Sequence, residues 1–93
     1  EHFAEDILLS TLAQIAGLSP YHFARAFKES FGVPPHRYHM LKRIERAKAL
    51  LSKPSVSVTE AGLRTGFSGT SAFSAAFRKI TLQSPSQYRR SLG

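Results

Sequence analysis

The 93-residue sequence predicts an all-α fold. Three observations predict it. Apolar residues recur at helical spacing in nearly every segment. Gly, Pro and Ser stand where helices start and stop. The second half of the chain also repeats the pattern of the first. Ninety-three residues carry one domain with a modest core, too small to divide into two independent ones.

The elements follow in order. "LSTLAQIA" places Leu9, Leu12, Ala13 and Ala16 on one helical face over 9–16, and Gly17 ends it. Ser19 then acts as an N-cap with Pro20 at the first helical position. From there Phe23, Ala26, Phe27 and Phe31 form an apolar stripe that Gly32 stops. Pro34 and Pro35 open the longest helix, over 35–52, with a buried stripe of Tyr38, Leu41, Ile44, Ala47, Leu50 and Leu51. Lys53 and Pro54 close it. "SVSVTE" alternates like a strand, but Ser57 with Glu60 three residues on forms a capping box, which favours a short helix to Thr65. Gly66 turns the chain, and a helix from Ser68 to Ile80 directs Phe73, Ala76 and Phe77 inward. Ser84, Pro85 and Gln87 start a last helix over 84–92.

The repeat is explicit. Displaced by 50 positions, Phe23, Ala26, Phe27, Pro35 and Tyr38 fall on Phe73, Ala76, Phe77, Pro85 and Tyr88, and Lys28 falls on Arg78. A displacement of 49 aligns Gly17-Leu18-Ser19 with Gly66-Phe67-Ser68, so Gly69 is a one-residue insertion. Each copy reads as short helix, glycine turn and second helix beginning at a serine. That is the outline of two helix-turn-helix motifs, 9–34 and 57–80, joined by the helix 35–52 within a single domain.

Charge points to a partner class. The net charge is +7, and from residue 7 onward 13 Lys and Arg stand against 3 Asp and Glu, a local balance of +10. Such a surplus suits a polyanion, nucleic acid before an anionic membrane. The basic residues are spread over several helices that also carry apolar stripes, unlike a lone membrane-surface helix. No apolar run approaches the roughly 20 residues that span a bilayer, and the acidic N-terminus is unlike a signal peptide. With no cysteine, neither a disulfide nor a thiolate metal site is available, which suits a reducing cytosol. His36 and His39 lie three apart without a carboxylate pair to complete a metal site. A phosphate-binding glycine loop, a nucleophile elbow and a paired acid/base set are all missing, so neither enzyme, metal nor cofactor is expected.

On the first second-helix, the Phe23/Phe27 side faces the core, which turns Tyr21, Arg25 and Lys28 outward with His22 and Ala24 beside them. Arg bonds bidentately to guanine, and aromatic or small apolar groups meet thymine methyls, so Tyr21, His22, Ala24 and Arg25 are the candidate base readers. The second copy offers Thr70, Ser71 and Ser74, which discriminate less, and Ala75 where Arg25 stands in the first. Lys28, Arg78, Arg37 in a helix's first turn, and Ser86 and Gln87 at the N-terminus of the last helix are the candidate phosphate contacts. Lys42, Arg43 and Arg46 on the long helix, and Arg64, Lys79, Arg89 and Arg90 flanking the second motif, are further cations suited to phosphate. A basic helical module that binds an acidic protein is the competing reading.

The segments "LAQIAGLSPYHFARAFKESFGVPPHRY", "RIERAKALL", "AGLRTGFSGTSAFSAAFRK" and "SPSQYRR" together resemble the DNA-binding domain of the AraC/XylS family of bacterial transcription regulators. The resemblance covers nearly the whole chain. It implies a seven-helix domain whose two recognition helices enter successive major-groove segments of double-stranded DNA, about 34 Å apart. It further implies sequence-specific binding to a promoter or operator in the bacterial cytoplasm and a ligand-sensing or dimerisation domain earlier in the full-length protein. RNA polymerase is a further candidate partner. Three departures stand out. The family's first helix lies upstream of a segment like "HFAED", so the chain is expected to begin at that helix's tail. Ala75 follows Ser74 where the family often has arginine. Leu82 replaces the usual glycine, so the helix end there is expected to be capped differently or frayed.

Overall fold

A computed structural model describes the backbone from His2 to Gly93 and the side chains from Leu9 onward. Its described residues form six helices: α1 His2–Ala16, α2 Pro20–Phe31, α3 Pro35–Leu51, α4 Val58–Arg64, α5 Thr70–Thr81 and α6 Pro85–Leu92. The chain divides into two compact units, one ending at Met40 and one running Leu41–Gly93.

α1 starts earlier than expected, and α4 starts at its predicted cap. α1 is continuous from His2 rather than beginning near residue 9, because neither Gly nor Pro interrupts 2–16. Residues 55–60 form no strand; Ser57 Oγ accepts the Glu60 N–H at 3.0 Å and starts α4. The reciprocal half of that capping box is replaced by an ion pair, with Glu60 turned toward Arg64 at 3.6 Å. The full box forms at α6, where Ser84 Oγ accepts from Gln87 N–H and Gln87 Oε1 accepts from Ser84 N–H.

In the first unit α1 packs on α2. An aromatic ladder runs along α2 and onto the start of α3: Phe23–Phe27 at 6.0 Å, Phe27–Phe31 at 4.4 Å and Phe27–Tyr38 at 5.4 Å. The second unit repeats it, with Phe73–Phe77 at 5.7 Å and Phe77–Tyr88 at 5.5 Å. The two ladders are buried to different depths. Phe73 and Phe77 are 0% exposed within a core that holds Ile44, Ala47, Leu51, Val56, Ala61 and Phe67. Along α2 no residue is fully buried, Ala26 lies exposed and Phe31 is 60% exposed. The stripe expected to be core is therefore half-buried in the first copy. Phe73 and Phe77 share a core with the apolar face of α3 beyond Met40, whereas α2 has only α1 and the start of α3 within its unit.

Leu82 overturns the expectation of a frayed or different cap. It adopts φ 66° and ψ 14°, and its N–H bonds the Arg78 carbonyl at 2.8 Å. Gly32 makes the same cap in the first copy, with φ 82° and a 2.8 Å bond to the Lys28 carbonyl. Thr81 Oγ1 donates to the Phe77 carbonyl and accepts the Gln83 N–H, so the chain around the strained residue is bonded on both sides.

Candidate nucleic-acid interface

The turns that set each second helix are the same structure twice. After α1, Gly17 N–H bonds the Gln14 carbonyl at 3.1 Å and Leu18 N–H reaches back to Ala13 at 2.9 Å. After α4, Gly66 N–H bonds Leu63 at 3.1 Å and Phe67 N–H reaches Gly62 at 3.0 Å. This double closure is a Schellman motif, and it requires the left-handed conformation that Gly17 (φ 73°) and Gly66 (φ 96°) supply. Each copy thus leaves its first helix through the same left-handed turn.

The helices then start differently. α2 is capped by Ser19, whose Oγ accepts the His22 N–H at 3.2 Å, with Pro20 in the first turn. α5 starts at Thr70 rather than Ser68, because the inserted Gly69 takes the N-cap position and has no side chain to bond with. Thr70 Oγ1 instead lies 3.1 Å from Thr59 Oγ1 of α4.

On α2 the candidate readers Tyr21, His22 and Arg25 and the phosphate candidate Lys28 are exposed, whereas Ala24 is half-buried. Tyr21 is 68% exposed and packs edge-on against the His22 ring. Arg25 Nε lies 3.8 Å from Glu29 Oε1, an exposed pair that water and a nucleic acid can readily displace. In the second unit Thr70, Ser71 and Arg78 are exposed along α5 and Ser74 is half-buried. Ala24 and Ser74, displaced by 50 positions, thus have the same half-buried setting. Arg37 is exposed in the first turn of α3. Ser86 and Gln87 are exposed, but the Gln87 N–H, expected to be a free donor, is taken by Ser84 Oγ. The side chains of Ser86 and Gln87 stay exposed at this helix start.

Two arginines have roles that spacing alone did not disclose. Arg43 is 5% exposed; its Nε donates to the Thr65 carbonyl at 2.7 Å and its guanidinium lies 3.9 Å from the Phe67 ring centre. It ties α3 to the turn of the second motif. The available signal was its place on the helical wheel, one turn before Ala47 on the buried side. Arg89, grouped at first with the flanking cations, donates to the carbonyls of Leu51, Lys53 and Val56. It closes the C-terminal end of α3 and the loop after it. Among the described residues, no three His, Cys, Asp or Glu side chains converge as a metal site would need, and no helix is long and apolar enough to cross a membrane.

The family model described as "Helix-turn-helix domain" matches residues 12–91. The crystal structure of a Chromobacterium violaceum transcriptional regulator, described among AraC-type DNA-binding domain-containing proteins, is 32% identical with a TM-score of 0.78, covering 88% of this chain and 73% of that one. This chain belongs to the AraC-type helix-turn-helix family. The DNA-binding domain of AdpA, solved in complex with a target DNA, is 32% identical to this AraC-type domain, with a TM-score of 0.81 over 89% of this chain and 75% of that one. An uncharacterised HTH-type transcriptional regulator of Staphylococcus aureus strain COL is 40% identical over 88 residues, which are 95% of this chain and 12% of that protein. The probable transcriptional regulator LumQ of Photobacterium leiognathi is 33% identical over 96% of this chain and 36% of its own length. The AraC-type domain therefore spans only a small part of these regulators.

Proposed function

We propose that this AraC-type domain binds double-stranded DNA sequence-specifically as the reading head of a bacterial transcription regulator. Residues 9–34 and 57–80 act as its two helix-turn-helix motifs, 35–52 as the helix between them and 84–92 as a closing helix. α2 and α5 enter successive major-groove segments. Tyr21, His22, Ala24 and Arg25 supply most of the base discrimination, while Thr70, Ser71 and Ser74 make weaker demands on sequence. Lys28, Arg37, Arg78, Ser86 and Gln87 hold phosphates. The observation that carries this reading is the duplicated Schellman turn, followed in each copy by a helix with an exposed polar face.

The domain does its work by binding rather than catalysis, in the cytoplasm. In the whole protein a sensing or dimerisation domain accompanies it, and RNA polymerase is a candidate contact at the promoter. The deciding experiment measures affinity for a duplex site and its single-base variants. Discrimination should weaken at one position in Arg25→Ala; an equal loss at every base would sink the assignment of Arg25. Failure to bind any duplex at low ionic strength would instead favour an acidic protein as the partner.

A further inference from the structure

Ser19 makes a second contact beyond its capping bond. Its Oγ accepts the His22 N–H at 3.2 Å and also lies 2.7 Å from His22 Nδ1. A separation of 2.7 Å is usual for an O–H donor and lies at the short limit for an N–H donor. The hydroxyl has one proton to give, and Nδ1 receives it only when the neutral ring carries its own proton on Nε2. We infer that Ser19 donates to His22 Nδ1 and so fixes the Nε2–H tautomer, making His22 a hydrogen-bond donor to a base from the first turn of α2. Ser19 is then a positioning residue and His22 a specificity residue. The inference rests on the proposed entry of α2 into the major groove.

The chemistry names the target. An Nε2–H donor pairs with guanine O6 or N7, adenine N7 or thymine O4, and is opposed by the amino group of cytosine, which offers no acceptor in the major groove. The ring is exposed, and the edge of Tyr21 packs against it with centroids 5.5 Å apart and planes at 78°, which limits its rotation. The matching first turn of α5 carries Ala72 in place of His22, so this device belongs to the first motif alone.

Ser19→Asp inverts the chemistry while keeping a good N-cap, since Asp and Ser cap about equally well. A carboxylate only accepts, so it draws the ring proton to Nδ1 and turns Nε2 into an acceptor. Nitrogen-15 NMR at about pH 8.5, where an ordinary histidine is neutral, should show Nε2–H in the native chain and in Ser19→Thr, and Nδ1–H in Ser19→Asp. Duplexes selected from a random library at the same pH should exclude cytosine at one position for the native chain. Ser19→Asp should shift that position from guanine or thymine toward cytosine by about two- to tenfold. The same substitution in a His22→Ala background measures the effect of the added charge alone.

An Nδ1–H tautomer in the native chain would overturn the inference. So would expected tautomers with a uniform loss no different from that in the His22→Ala background, which would point to a phosphate contact. If the native chain selected no sequence at all, the proposed function would fall and the base reading with it. The NMR result would still show whether the Ser19–His22 hydrogen bond had been read correctly.

Discussion

Leu82 shows what a single side chain costs when the backbone has already decided its conformation. Left-handed geometry disfavours any residue with a Cβ by roughly 1–2 kcal/mol, and Leu82 is 85% exposed, so little packing offsets that cost. Leu82→Gly should therefore raise stability by about 1 kcal/mol, offset in part by the greater freedom of glycine in the unfolded chain. Denaturant unfolding with an unchanged m-value would check it; a loss of stability would show that Leu82 packs on something. Arg25 belongs to the same scale. Its truncation should cost about 1–3 kcal/mol of binding and relax preference at one base pair, measured on single-base variants. Little stability should be lost with it, because its pair with Glu29 is exposed.

Elements are held by contacts between residues far apart in sequence. Gly62 sits where α4 meets α5, and a Cβ there would lie 2.8 Å from the Phe73 ring. The corresponding residue in α1 is Ala13, displaced by 49, whose own Cβ is accommodated at a buried position. Gly62→Ala should cost about 1–3 kcal/mol through overpacking, while the reverse change at Ala13 lacks that penalty. Arg89→Ala should cost about 1.5–3 kcal/mol, since its guanidinium satisfies carbonyls of Leu51, Lys53 and Val56. Thermal unfolding of the two variants checks both. Removal of Arg89 should leave the salt dependence of DNA binding unchanged, which separates it from the phosphate-contacting cations.

Across the molecule, the two units are alike in pattern and unequal in burial. Phe73 and Phe77 are sealed, whereas α2 exposes Phe31 and buries no residue fully. Native-state hydrogen exchange should find α2 amides opening at lower free energy than those of α5, because opening energy follows local burial. Equal protection would contradict the burial seen in the first unit. The charge of +7 acts at this scale too. Binding should weaken linearly with log salt, and Arg78→Gln should flatten that slope by about one unit while weakening all sequences alike. A sequence-dependent loss would move Arg78 from phosphate to base.

Apart from the starts of α1 and α5, the helices, their caps at Ser19, Ser57 and Ser84, the glycine turns and the duplication were legible in the sequence. They arise from contacts within a few residues or from periodicity, and the chain order records both directly. Residue order also carried enough of the family's pattern to place the chain among AraC-type domains. Tertiary structure alone decided burial and partnership. It sealed the Phe73 stripe and half-exposed the matching Phe23 stripe, because burial depends on which distant helix arrives to cover a face. It took Arg43 and Arg89 out of the surface charge by bringing carbonyls 22 and 33–38 residues away within reach. It also forced Leu82 into a glycine's conformation, since the continuation into α6 requires that turn whatever side chain stands there.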